Sequence, residues 1–161
     1  MPKFLTGLFL LFLYTREISV DIITKNEAHI NAKTLQSLQA VTSDIVIVDS
    51  GSTDDTVAVC KKMNANVIET VWAGYGINKN MGIEAAKHDW ILNLDADEAI
   101  DAGLQQSILQ LTLTNDEEVF DMRFKNFFCN KWIRFGEWGF DWHIRLFNRK
   151  KVKWNNAAVH E

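Results

Sequence analysis

From residue 18 onward the chain alternates short apolar runs with amphipathic ones, which predicts strand and helix in turn. "ISVDIIT" and "DIVIVD" are β-branched strands, and between them "AHINAKTLQSLQ" sets Ile30, Thr34, Leu35 and Leu38 at helical spacing. "DDTVAVCKKM" is helical, "NVIETV" a strand, "INKNMGIEAAK" a helix and "WILNLD" another strand. Three strand–helix units joined by short connections imply a parallel sheet covered by helices on both faces. After a helical "AGLQQSILQLTL", the run "VFDMRFKNFFC" places Phe120, Met122, Phe124, Asn126 and Phe128 on one side, the pattern of a long one-sided antiparallel strand. "WHIRLFNRKKVKW" predicts two further short strands around a turn at 148–151. The expected class is therefore α/β with a mixed central sheet, parallel in its first half.

Residues 1–17 stand apart from this pattern. The apolar run Phe4–Tyr14 lies between Lys3 and Arg16, and as a helix it would rise only about 16 Å, half a bilayer. It matches the core of a signal peptide in length, without a small-residue cleavage site after it. An extended start of the reading frame, a monotopic membrane contact and an export signal are the three readings of this leader. Residues 18–161 form the expected catalytic domain.

Composition narrows the class without identifying it. The chain has 161 residues, 47% hydrophobic and 24% charged, with one proline. That is one domain with a real core, and there is no linker or repeat. A net charge of −4 argues against a protein that holds nucleic acid by neutralising phosphates. Cys60 and Cys129 show neither CxxC nor Cys/His spacing, so the expectation is no structural zinc and a reducing, cytoplasmic setting.

In α/β sheets ligands bind beyond the carboxyl ends of the strands, and here each strand ends in polar or glycine-rich sequence. The second strand runs into "VDSGSTDDT". Gly51 permits the sharp turn, Ser52 or Thr53 can cap the next helix, and Asp54 and Asp55 suit its positive end. Asp49 is either an Asx-turn residue or an acceptor for a nucleobase or ribose donor. The fourth strand ends in "LDADE". In extended backbone Asp95 and Asp97 share a side, an arrangement suited to Mg2+ or Mn2+. The plainer reading makes Asp97, Glu98 and Asp101 the acidic start of a helix.

The ordered set of strand plus "KNEA", strand plus "VDSGSTDDT", "GYGINKNMG" and "LDADE" resembles the family 2 glycosyltransferases of the GT-A fold. More narrowly, it is similar to bacterial enzymes that add a sugar to the lipopolysaccharide core. The resemblance spans residues 18–161. It implies that Asn26, Glu27, Asp49, Gly51, Lys79, Asn80 and Asp95 line a UDP-type sugar-nucleotide pocket, Lys79 offsetting phosphate charge. It further implies that Asp97, with Asp95 and His160 of the closing "VHE", holds a divalent metal, Mg2+ or Mn2+.

Transfer to an acceptor hydroxyl also needs a general base. The family carries an acid shortly before an Arg-Leu pair, which implies Asp141 ahead of Arg145 and Leu146, with Glu137 second. Phe140 stands where many relatives have another acid. His143, among aromatic neighbours, is read as a packed residue first. Trp132, Trp138, Trp142 and Trp154 supply either core or a sugar-stacking acceptor groove.

The implied activity is inverting transfer from a UDP-sugar to a lipopolysaccharide core or other cell-surface glycan, with no nucleic-acid partner and with peripheral contact at the inner face of the cytoplasmic membrane. Relatives continue beyond "VHE", so a C-terminally shortened chain is expected. The rival from another class is a catalytically silent nucleotide-sugar-binding fragment. A dehydrogenase is excluded by "TKNEAH" where G-x-G-x-x-G would stand. A nucleotidyltransferase would need a glycine-rich basic loop there.

Overall fold

The computed structural model describes residues 17–129 and 131–155. The leader up to residue 16 and His160 lie outside the described residues. In chain order the elements are β1 (Ile18–Thr24), α1 (Ala28–Leu38), β2 (Asp44–Asp49), α2 (Thr56–Lys62), β3 (Asn66–Glu69), α3 (Tyr75–Ala85), β4 (Trp90–Asp95) and α4 (Ala102–Gln110). They continue with β5 (Val119–Arg123), β6 (Phe127–Phe128), β7 (Lys131–Trp132) and β8 (Trp142–Asn148).

The main sheet has six strands in the order β3-β2-β1-β4-β8-β5. β3, β2, β1 and β4 run parallel, and β8 is antiparallel to both β4 and β5. The chain builds outward from β1 to β3 and then crosses back to place β4 on the other side of β1. The gap beyond the carboxyl ends of β1 and β4 is thus the topological switch point, where such sheets bind ligands.

Both faces of the sheet are covered. Ile18, Val20 and Ile22 of β1 pack with Leu35 and Leu38 of α1, Cys60 of α2 and Ile108 of α4. On the opposite face Ile83 and Ala86, in and just after α3, meet Val46, Ile91 and Phe147. Strands buried on both sides read as near-continuous apolar runs, which is why β1, β2 and β4 are legible in the sequence. Asp21 and Asn93 interrupt two of those runs, and they are register partners.

Three expectations are corrected. The predicted long strand 119–128 ends at Arg123, because a register shift at Phe120/Asp121 bends β5 and Phe127–Phe128 pairs instead with β7 in a separate two-stranded sheet. The segment after β8 forms no second strand: Lys151 and Val152 donate to the Asn148 carbonyl in a turn, and the chain then crosses α3, where Val152 and Trp154 pack. Finally, α2 starts after Asp55, not at Asp54, and neither Ser52 nor Thr53 caps it. Asp54 does so from outside the helix, accepting from the Thr56 amide at 3.0 Å.

Candidate functional site

The loops after β1 and β2 are bonded to each other. Asn26 sits at φ 57°, a left-handed conformation that Asn tolerates. Its amide donates to Ser52 Oγ at 2.8 Å, and its Oδ1 accepts from the Thr53 amide at 2.8 Å. The Glu27 amide donates to Thr56 Oγ1 at 2.9 Å and the Ala28 amide to Asp54 Oδ2 at 3.3 Å. Two of the amides at the start of α1 are therefore satisfied by the next loop. These bonds hold the Asp54 carboxyl below the usual carboxylate range, the Thr56 hydroxyl foremost.

Asp49 closes its own turn. Its Oδ2 accepts from the Gly51 and Ser52 amides at 3.0 and 2.9 Å, and its Oδ1 from the Ser52 hydroxyl. Gly51, at φ 83°, supplies the positive φ that the turn requires. The Asx-turn reading thus describes the carboxylate. One of its roughly four acceptor positions remains for a ligand donor.

Beyond β4 the expected extended "DAD" is a turn, closed by the Glu98 amide on the Asp95 carbonyl at 3.0 Å. Asp95 and Asp97 therefore do not share a side. Ala96 is buried, its carbonyl accepting from Thr34 Oγ1 at 3.0 Å, and Asp97 is exposed. Asp95 turns inward between two cations, accepting from Lys79 Nζ at 2.9 Å on Oδ1 and from Arg145 at 3.1 Å on Oδ2. Glu98 accepts from the same Arg145 and from the Asp95 amide. Burial pushes the Glu98 carboxyl up, while the Arg145 guanidinium opposes it. Asp101 takes the plainer role of helix cap, accepting from the Leu104 amide at 2.8 Å.

Lys79 is not beside the open crevice. It is 0% exposed, with its ammonium on Asn93 Oδ1 at 2.9 Å and 4.5 Å from the Trp154 ring centroid. Neighbouring Asn80 grips the Trp154 backbone at both its amide and its carbonyl. Trp154 thus roofs Lys79 and does not join the other three tryptophans of the second half.

Asn93 continues the network inward, donating to Asp21 Oδ2 at 2.6 Å. Asp21 Oδ1 has no hydrogen-bond partner among the described residues. It lies where a side chain on Gly82 would go, 1.8 Å from an added Cβ. Gly82 costs α3 about 1 kcal/mol relative to alanine, and it admits this close approach. Burial raises the Asp21 carboxyl to about 8, with Lys79 pulling the other way. With Asp21 neutral, Lys79 and Arg145 balance Asp95 and Glu98, so the buried cluster carries no net charge.

A pH dependence follows. Folded Asp21 keeps its proton to about pH 8, whereas the unfolded chain releases it near 3.8. The folded state binds the extra proton across that window, so stability present below about pH 4 is lost as pH rises through 8. Asp21→Asn should flatten the profile and raise stability at pH 9 by on the order of a few kcal/mol, or about 2–4 °C in Tm for each. Thermal melts at pH 5, 7 and 9 check this; parallel profiles for variant and parent would refute the assignment.

The base candidates lie on the segment leading into β8. Asp141 is half-buried, with Oδ1 2.7 Å from His143 Nε2 and Oδ2 accepting from Asn126 Nδ2 at 2.9 Å. His143 packs edge-on against Phe124, their centroids 5.1 Å apart, and Arg145 lies over the same ring at 5.1 Å. One wall therefore runs from Asp95 through Arg145 and Phe124 to His143 and Asp141. Glu137 is exposed in the one-turn helix Glu137–Gly139.

Sequence reasoning missed Asp21, Asn78, Asn93 and Arg145. Asn78, fully buried, bonds the Ala73 amide and Ser50 Oγ and so ties α3 to the loops after β2 and β3. The available signal was polarity in the middle of otherwise apolar strands and on the inner side of α3.

Comparison with known proteins agrees with this geometry. Glycosyl transferase family 2 matches the chain over residues 19–160. An uncharacterized glycosyltransferase of Rickettsia conorii is 38% identical over 104 residues, 65% of this chain and 37% of that protein. The lipopolysaccharide core biosynthesis glycosyltransferase LpsC of Rhizobium meliloti is 35% identical over 107 residues, 63% of this chain and 39% of that protein. The chain thus spans less than two-fifths of the length of either relative. The crystal structure of S. aureus TarS 1-349 in complex with UDP-GlcNAc superposes with a TM-score of 0.52 at 26% identity, covering 58% of this chain and 31% of that one.

Proposed function

The chain belongs to glycosyl transferase family 2, and from that membership we propose that it binds a UDP-sugar at the switch point and transfers the sugar, with inversion, to a hydroxyl of a lipopolysaccharide core or similar cell-surface glycan. The observation that carries the reading is Asp97. It is exposed just beyond the carboxyl end of β4, two residues after a carboxylate already neutralised by Lys79 and Arg145. The UDP-GlcNAc complex of TarS supports the donor class, and the likeness to LpsC supports the acceptor class.

The residues present fit one mode of metal binding and not another. Among the described residues no group of three or more His, Cys, Asp or Glu side chains could hold a metal ion. Mg2+ and Mn2+ do not need such a cage, since they keep several waters and take one or two carboxylates plus substrate phosphates. Asp97 supplies that carboxylate. Asp95, engaged by two cations, positions the turn, and a bound metal would offset charge on the departing diphosphate. Asn26, Glu27 and Asp49 border the pocket through the bonded loops, and Asp141 takes the acceptor proton.

Calorimetric titration of UDP with and without Mn2+ tests the reading. Binding that needs the metal, and that Asp97→Ala abolishes with the melting temperature unchanged, is expected. A folded sample that binds UDP in neither condition would overturn it. Donor binding without turnover on any acceptor would favour the silent-fragment reading.

A further inference from the structure

We propose that Arg145 is a positioning residue that withholds Asp95 from metal coordination, so that the chain takes up its divalent ion together with the nucleotide diphosphate and not before it. The inference rests on the proposed function and concerns how that site is loaded. The two aspartates of the acidic turn after β4 are in opposite states. Asp97 is exposed, whereas the Asp95 carboxylate is 28% exposed and holds a cation on each oxygen, Lys79 at 2.9 Å on Oδ1 and Arg145 at 3.1 Å on Oδ2. A guanidinium on a carboxylate oxygen occupies a lone pair and adds a charge that repels a divalent ion. Asp97 is then left as one carboxylate, and the affinity of such sites rises with the number of charged ligands. The diphosphate supplies the negative charge that Asp95 does not.

Of the two cations, Arg145 is the one at the crevice. Lys79 is 0% exposed, with the Trp154 ring over its ammonium, so the oxygen it holds faces the interior. Arg145 stands on the wall that leads to His143 and Asp141. Its Nη2 donates to Asp95 and to Glu98, and Glu98 in turn accepts from the Asp95 amide at 3.0 Å. Its Nε is buried and has no hydrogen-bond partner among the described residues. Leaving a buried donor unsatisfied is costly, so the guanidinium is placed to span the two acids and not to use all its own donors. Glu98 locks it there, because an arginine drawn off Asp95 would leave a largely buried carboxylate without its cation. A purely structural ion pair would lose stability on removal and leave metal uptake as it was. Withholding predicts the opposite sign, a gain of metal uptake when the arginine is removed.

Mn2+ uptake by the full chain, read from the electron paramagnetic resonance of the free ion with and without UDP, tests this. The parent should bind Mn2+ only when UDP is present. Glu98→Gln with Arg145→Met removes the arginine together with one of its acids, so Lys79 and Asp95 still balance. That double variant should bind Mn2+ without UDP at least about tenfold more tightly than the parent, the scale on which residues around metal ligands act. Glu98→Gln alone keeps the arginine on Asp95 and should behave as the parent, with thermal melts checking each fold. Mn2+ bound by the parent as tightly without UDP as with it would overturn the proposal and leave the proposed function standing, a result that depends on no variant. A folded double variant that still needs UDP would make Arg145 a structural ion pair only and overturn it as well. A folded parent that binds UDP neither with nor without Mn2+ would remove the proposed function, and this inference with it.

Discussion

Lys79→Met should unfold more easily than the parent by about 3–5 kcal/mol, the cost of breaking a buried ion pair by removing one partner. The methionine preserves much of the aliphatic stem, so the loss reports the ammonium rather than a cavity. Without that ammonium Asn93 Oδ1 loses its donor and Asp95 keeps Arg145 but not its nearer cation. The Trp154 face loses its charge, and Asp21 loses the cation that moderates its raised carboxyl. Urea denaturation with an unchanged m-value measures the difference. The double variant with Asp95→Asn should recover part of it, because the carboxylate that lost its nearer cation is then gone; a coupling near zero in that cycle would mean that the two side chains act independently. A loss below about 1 kcal/mol would place Lys79 in the class of solvated surface pairs, against its burial.

The same cluster marks where sequence reasoning stops. Strands β1, β2 and β4 and the helices after them are legible because one face or both must be apolar, and that requirement is local. The mixed second half is legible only in outline. Alternation through Phe120–Phe128 predicts one strand, but the bulge after Phe120 and the pairing of Phe127–Phe128 with β7 depend on partners not yet placed in the chain. The acidic turn is visible in "LDADE", whereas the inward aim of Asp95 is not. That aim is set by Lys79, 16 residues before it, and by Arg145, 50 after. Lys79, expected to line the sugar-nucleotide pocket, is buried with Trp154 over its ammonium, and no spacing rule connects those two positions. Asp21 and Asn93 were visible as polar residues inside apolar runs. Only the parallel register that sets them side by side gives them meaning.

Asp141→Asn should keep donor binding and lower transfer by about 10²–10⁴-fold, the usual worth of a positioned general base. The substitution leaves the side-chain volume and the bond from Asn126 open to the retained oxygen, so the segment entering β8 should stay in place. What it removes is the carboxylate that faces His143 Nε2 at 2.7 Å. If Asp141 takes the acceptor proton, His143→Gln, which can still donate to it, should cost far less than the Asp141 change. If instead the histidine variant loses as much transfer as the aspartate variant, the imidazole is the proton acceptor and Asp141 only orients it, the half-exposed ring standing between the carboxylate and solvent. Transfer by Asp141→Asn within a factor of about two of the parent would remove Asp141 from the proton path, and the same result with His143→Gln would remove the imidazole. The base would then be sought at exposed Glu137, on the one-turn helix whose Gly139 carbonyl accepts from Arg123, and Glu137→Gln would become the decisive variant.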